Sequence, residues 1–159
     1  MNQVTKRKFS GELLDINNIE AKAESIIKKL KDDILITLKR KGAVIGISGG
    51  IDSSVCLALA VKALGPERVI ALMLPEKDSN TDSRKLALKL ASQLGVQAIE
   101  EDISAALEGI GCYRRRDEAV ASIFPEYDPS VHTMKIGINP ESISHNLPPV
   151  FLISIVDKG

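Results

Sequence analysis

A chain of 159 residues, 44% of them hydrophobic, suits one domain with a single buried core and leaves little room for a second catalytic module. With 21 basic and 21 acidic residues the formal charge is zero, so no overall field draws the protein to a nucleic-acid backbone or an anionic membrane. Cys56 and Cys112 form no CxxC pair, the first ten residues carry no signal-like apolar stretch, and no run reaches membrane-spanning length, so a soluble protein of the reducing cytoplasm is expected.

Residues 1–17 are polar, and Lys6-Arg7-Lys8 read as a solubilising end rather than a nucleic-acid arm. From Asn18 to Lys41 the residues Ile19, Ala23, Ile26, Ile27, Leu30, Ile34 and Leu38 recur at helical spacing, which predicts an amphipathic helix closed by a left-handed cap at Gly42. Ala43 to Ile47 is a short apolar run, the pattern of a strand covered on both faces of a parallel sheet. Asp52 to Leu64 predicts a mostly buried helix ending at Gly65, with Cys56 inside it. Arg68 to Leu74 reads as a second strand, Thr81 to Leu94 as a second helix closed by Gly95, and Val96 to Glu100 as a third strand. Strands and helices alternating at this spacing imply right-handed crossovers and a parallel sheet with helices on both faces, hence an α/β/α sandwich. After a short helix reaching Leu107, Gly109 to Pro149 holds several prolines and no sustained periodicity, and it reads as irregular. Val150 to Val156 is a last apolar run that reads as a strand. The expected organisation is therefore 1–17 as a polar segment, 18–107 as the α/β domain, and 108–159 as an irregular segment with a final strand.

The chemistry concentrates in Gly46-Ile47-Ser48-Gly49-Gly50-Ile51-Asp52-Ser53, between a strand and the first turn of a helix. Glycines at 49 and 50 permit positive φ and let backbone N–H groups approach an anion, while the helix aims its unpaired donors at the same point. Hydroxyls of Ser48 and Ser53 add donors for phosphate oxygens, and Asp52 supplies a carboxylate for Mg²⁺. The plainer reading is a Ser/Gly turn with Asp52 or Ser53 as an ordinary helix cap. Six suitable residues in that position outweigh it.

Ser48-Gly49-Gly50-Ile51-Asp52-Ser53 resembles the pyrophosphate-binding loop of the ATP pyrophosphatases, which split ATP between the α and β phosphates to adenylate an oxygen of the acceptor. It lacks the Gly-Lys-Ser/Thr ending of a Walker loop. Within that group, Val44 to Ser53, Ala60 to Leu64, Gly65-Pro66-Glu67-Arg68-Val69, Met73-Leu74-Pro75 and Ser79 are similar to NAD synthetase, over roughly residues 20 to 107. The resemblance implies ATP and Mg²⁺, deamido-NAD and ammonia as small-molecule substrates, and a homodimer when full length. It also implies adenine contacts from the main chain of Leu72 and Met73, a nucleotide border from Pro75 to Thr81, catalytic roles for Ser48 and Asp52, and Asp52 as metal ligand. Two alternatives stand beside amide ligation: an ATP-binding fragment without turnover, and an ATP pyrophosphatase with another acceptor. NAD synthetases carry a further half-domain that has no counterpart here, so truncation is expected. In such folds a later strand flanks the loop-bearing one, and here either Val150 to Val156, a partner or a missing segment covers that edge.

Arg114-Arg115-Arg116 reads as a solvated basic run rather than a phosphate site. His132 and His145, thirteen residues apart, share no helical register and are given no role.

Overall fold

Helix α1 (Ile19–Lys31) starts where the Asn18 side chain accepts the Ala21 amide at 2.9 Å, satisfying one of the donors that a helix start leaves over. A computed structural model describes residues 16–139 and 151–158, so the expectations for residues 1–15, His145 and Val150 fall outside it. The predicted 24-residue helix is not continuous. Asp32–Thr37 widens into a π-helical turn, and Lys39 at φ 51° takes the left-handed position assigned to Gly42. Gly42 is required for another reason: a Cβ there would lie 2.2 Å from the Arg68 carbonyl oxygen, so the chain passes too close for any side chain. Ile27, Leu30, Ile34 and Leu35 pack on the core, while Ile19 and Leu38 stay exposed.

The chain divides into two compact units, residues 1–103 and 104–159. In the first, β1 (Ala43–Gly46), β2 (Val69–Met73) and β3 (Gln97–Glu100) form a parallel sheet in the order β1-β2-β3. Ala43 pairs with Val69, Gly46 with Leu72, and Met73 with Glu100. The connections are α2 (Ile51–Leu64) and α3 (Thr81–Gln93). Both step in the same direction along the sheet, so right-handed crossovers put both helices on one face. Val69, Ala71 and Met73 point to that face and share a core with Leu57, Ala60, Ala63 and Leu64 of α2 and Ala87 and Ala91 of α3. The alanines let the helix axes approach the strands closely. α1 packs against α2.

Two burial expectations are corrected. β1 is covered on one face only: Val44 points away from the core that packs on α2 and is 60% exposed, and β1 is also an edge strand, with a neighbouring strand on one side among the described residues. α2 is buried along one stripe only, leaving Ile51 79% and Val55 52% exposed, and Cys56 is exposed rather than interior.

Over residues 109–139, the described part of the stretch read as irregular, the second unit overturns that reading. It holds α4 (Ser104–Gly109), α5 (Cys112–Ala121) and β4 (His132–Ile138), which pairs antiparallel with β5 (Phe151–Asp157) from His132↔Asp157 to Ile138↔Phe151. The predicted last strand thus exists, paired with β4 and not with β1. Gly111 at φ 70° opens α5, whose Tyr113 and Val120, seven residues apart, are its buried contacts. No helix of the described residues is long and apolar enough to cross a membrane.

Candidate functional site

The loop between β1 and α2 is held from both sides. The Ile47 amide donates to the Leu72 carbonyl at 2.9 Å, extending the β1–β2 ladder by one residue, and Ile47 is 6% exposed. At the other end the Gly50 carbonyl accepts from the Ser54 amide at 3.1 Å, the Ser54 hydroxyl at 2.7 Å and the Ser53 hydroxyl at 3.0 Å. Because a peptide is planar, fixing that carbonyl toward the helix turns the Ile51 N–H outward. Gly50 has no side chain to cap α2, and the amides of Ile51, Asp52 and Ser53 have no partner among the described residues. By contrast α1 and α3 are capped by Asn18 and Asn80, whose side chains accept the Ala21 and Asp82 amides. An uncapped helix start with an outward amide row is an anion-binding geometry.

Ser48 and Ser53 meet across the loop with hydroxyl oxygens 3.3 Å apart, and the Gly50 amide donates to the Ser48 hydroxyl at 3.4 Å. Gly49 has φ +77°, and a Cβ there would lie 2.6 Å from the Ser83 carbonyl oxygen and 3.0 Å from the Leu86 Cβ. Its glycine is thus demanded by conformation and by contact with α3 together. Gly50, which could also have taken positive φ, sits at φ −80°, because the turn is completed at Gly49. Asp52, in the first turn of α2, is exposed, and its carboxylate makes no hydrogen bond or ion pair among the described residues. No cluster of three His, Cys, Asp or Glu gathers among the described residues. A lone carboxylate of this kind fits Mg²⁺, an ion that reaches proteins through one or two carboxylates, waters and phosphate oxygens.

Beside the loop lies a cavity of about 160 Å³ at the carboxyl ends of the strands, where parallel α/β sheets place their ligands. Ile47, Met73, Pro75 and Ala87 give it apolar walls, and Ser48 joins it to the loop. The Leu72 and Met73 carbonyls already accept the Ile47 and Glu101 amides, each at 2.9 Å. Met73 lines the cavity, and Leu72 points to the opposite face of the sheet. Gly46 ends β1, exposed.

Sequence reasoning missed Ser54, which anchors the Gly50 carbonyl, and the pair Arg84–Glu100, which walls the cavity. Arg84 Nε donates to Glu100 Oε1 at 2.9 Å and Oε2 at 2.7 Å. That hydrogen bond first, and the charge of Glu100 second, raise the Arg84 pKa above its already high value. The available signal was a carboxylate closing a parallel strand, where functional groups gather.

Elsewhere the bland readings fit the contacts. Arg114 pairs with Glu118 at 2.8 Å, Arg115 donates to the Ile110 carbonyl at 2.7 Å, and Arg116 pairs with Asp117 and lies 5.3 Å from the Tyr113 ring centroid. His132 Nδ1 accepts the Asp128 amide at 2.9 Å while its ring stacks on Tyr127, a structural arrangement at the mouth of the hairpin.

Residues 22–120 match the profile of the family described as NAD synthase. The chain is 45% identical over 107 residues to an NH(3)-dependent NAD(+) synthetase of Mesorhizobium japonicum, covering 67% of this chain and 34% of that protein. It is 43% identical over 121 residues to the synthetase of the same name from Rhizobium meliloti, covering 76% and 36%. The chain therefore spans about a third of the length of the curated relatives it matches. Among solved structures it is similar to an NMN synthetase from Francisella tularensis, with TM-score 0.56, 29% identity, and 64% and 41% of the two chains covered. It is also similar to a glutamine-dependent NAD+ synthetase from Acinetobacter baumannii in complex with ADP, with TM-score 0.51, 27% identity, and 67% and 19% covered. The parallel α/β architecture is common to these structures and this chain.

Proposed function

The chain belongs to the NAD synthase family, and on that premise we propose that it grips ATP for an ammonia-dependent ligase that converts deamido-NAD to NAD. The observation that carries the reading is the uncapped start of α2, with the outward amides of Ile51, Asp52 and Ser53 beside Ser48 and Gly49. In this reading the nicotinic acid carboxylate attacks the α-phosphorus of ATP, the bond to the β-phosphate oxygen breaks, and pyrophosphate stays in the loop. Ammonia then attacks the acyl carbon of the adenylate, loses a proton and expels AMP. The backbone amides donate hydrogen bonds to the oxygens on which charge builds as the phosphates depart, and they do so from fixed positions, so little reorganisation opposes the step. Ser48 and Ser53 turn their hydroxyls to phosphate oxygens, exchanging the contacts they now make with each other and with Gly50. Asp52 would hold Mg²⁺, which would supply neutralisation of the phosphate charge. No covalent nucleophile is needed. Adenine occupies the cavity beside the loop, against Met73 and Pro75, with main-chain groups of Leu72 and Met73 at its edge. The full-length enzyme works as a cytoplasmic homodimer.

A second reading, an ATP-binding piece without turnover, is favoured by the edge of β1 that has no neighbouring strand among the described residues. One experiment separates them. Protein incubated with deamido-NAD, ATP, Mg²⁺ and ammonium is expected to yield AMP and NAD in equal amounts. Thermal stabilisation by ATP with no pyrophosphate release would assign it the second role, and no ATP binding at all would remove both.

A further inference from the structure

Resting on the reading that ATP binds the first unit, we propose that Arg84 grips the nucleoside end of the nucleotide, with Glu100 as its positioning residue. The geometry separates this pair from an ordinary surface bridge. A structural Arg–carboxylate pair commonly forms the two-donor fork, whereas here both Glu100 oxygens are met by Nε, at 2.9 and 2.7 Å. The two Nη groups carry four more N–H donors, and none has a partner among the described residues. The side chain is 54% exposed and lines the cavity that Ser48 joins to the phosphate loop. Exposed ion pairs add little to stability, so the pair is poorly explained as a brace for the fold. Pinned at Nε from the end of β3, the guanidinium has already lost much of its rotamer freedom and presents a flat, charged plane over apolar walls from Ile47, Met73, Pro75 and Ala87. That combination suits an aromatic base stacked on the guanidinium face, with ribose hydroxyls at the rim accepting from the in-plane Nη donors. Phosphate alone uses none of it, because the phosphate donors lie at the start of α2.

Binding of Mg·ATP, AMP and inorganic pyrophosphate to the full chain distinguishes the two halves of the site. Arg84→Ala is expected to weaken ATP and AMP about tenfold or more, the loss of a charged hydrogen bond, and to leave pyrophosphate affinity unchanged. The reversed pair R84E/E100R should keep the unfolding midpoint of the parent but not its ATP affinity, an outcome a merely structural bridge would not give. ATP and AMP bound as tightly by either variant as by the parent would overturn the inference, as would an equal loss of pyrophosphate binding in Arg84→Ala. Failure of the parent chain to bind ATP or pyrophosphate would instead defeat the underlying reading, and the inference with it.

Discussion

Adjacent glycines in the loop have unequal duties. Gly49 combines φ +77° with a 2.6 Å approach of any Cβ to the Ser83 carbonyl, whereas a Cβ on Gly50, at φ −80°, would meet only the Ser48 hydroxyl at 3.4 Å. Gly49→Ala is therefore expected to destabilise the first unit by about 2–4 kcal/mol, the sum of left-handed strain and overpacking. Gly50→Ala should cost about 1 kcal/mol or less. Denaturant unfolding of the two variants side by side checks the contrast, and equal losses would contradict it. The sequence made both glycines visible as loop formers but could not tell which carried the turn, since that depends on α3, more than thirty residues away. Ser54 was invisible for a similar reason: its hydroxyl acts on a backbone carbonyl, and no motif spacing announces such a contact. Arg84 and Glu100 meet only once β3 has been laid beside β2.

Among the elements, the β-α-β-α-β run was legible because each helix and strand in it carries its own apolar pattern and its own stop signal, such as Gly65 at φ 89° and Gly95 at φ 66°. α1 was overextended because the apolar spacing continues through Ile34 and Leu38, although the backbone widens at Asp32 and turns at Lys39. β4 was overlooked although His132, Met134, Ile136 and Ile138 alternate with Thr133, Lys135 and Gly137; the nearby prolines masked that period of two. The turn into β4 carries a pH dependence of its own. Asp128 accepts from the Ser130 hydroxyl at 2.6 Å and the Ser130 amide at 2.7 Å, and these bonds hold its carboxyl below the ordinary 3.8. A carboxylate favoured in the folded state contributes stability above its unfolded pKa and loses it as pH falls through the folded one. The hairpin is thus expected to be firm at neutral pH and to loosen below about pH 4. NMR shifts of Ser130 followed from pH 7 to 2 check it, and in Asp128→Asn the acid-linked change should vanish.

At the scale of the molecule, α/β architecture and strand direction followed from alternation alone, while coverage of the sheet did not. Buried and half-exposed apolar strands look alike in sequence, so Val44 gave no sign of its 60% exposure. In a parallel strand successive residues aim their backbone groups to opposite sides. Ile47 donates to β2, so Ile45 does too, and Val44 and Gly46 aim theirs at the open side of β1. Hydrogen exchange is therefore expected to be faster at Val44 and Gly46 than at Ile45 and Ile47; uniform protection along β1 would mean that another strand lies against it. The contact between Gly49 and α3 has a mechanical consequence. Ser83 abuts the loop through its carbonyl, and the next residue in the chain is Arg84. If a nucleotide sits as proposed, a tilt of that helix toward its base would press on the glycine turn like the short arm of a lever, so the two ends of one ligand would be felt through a single rigid rod.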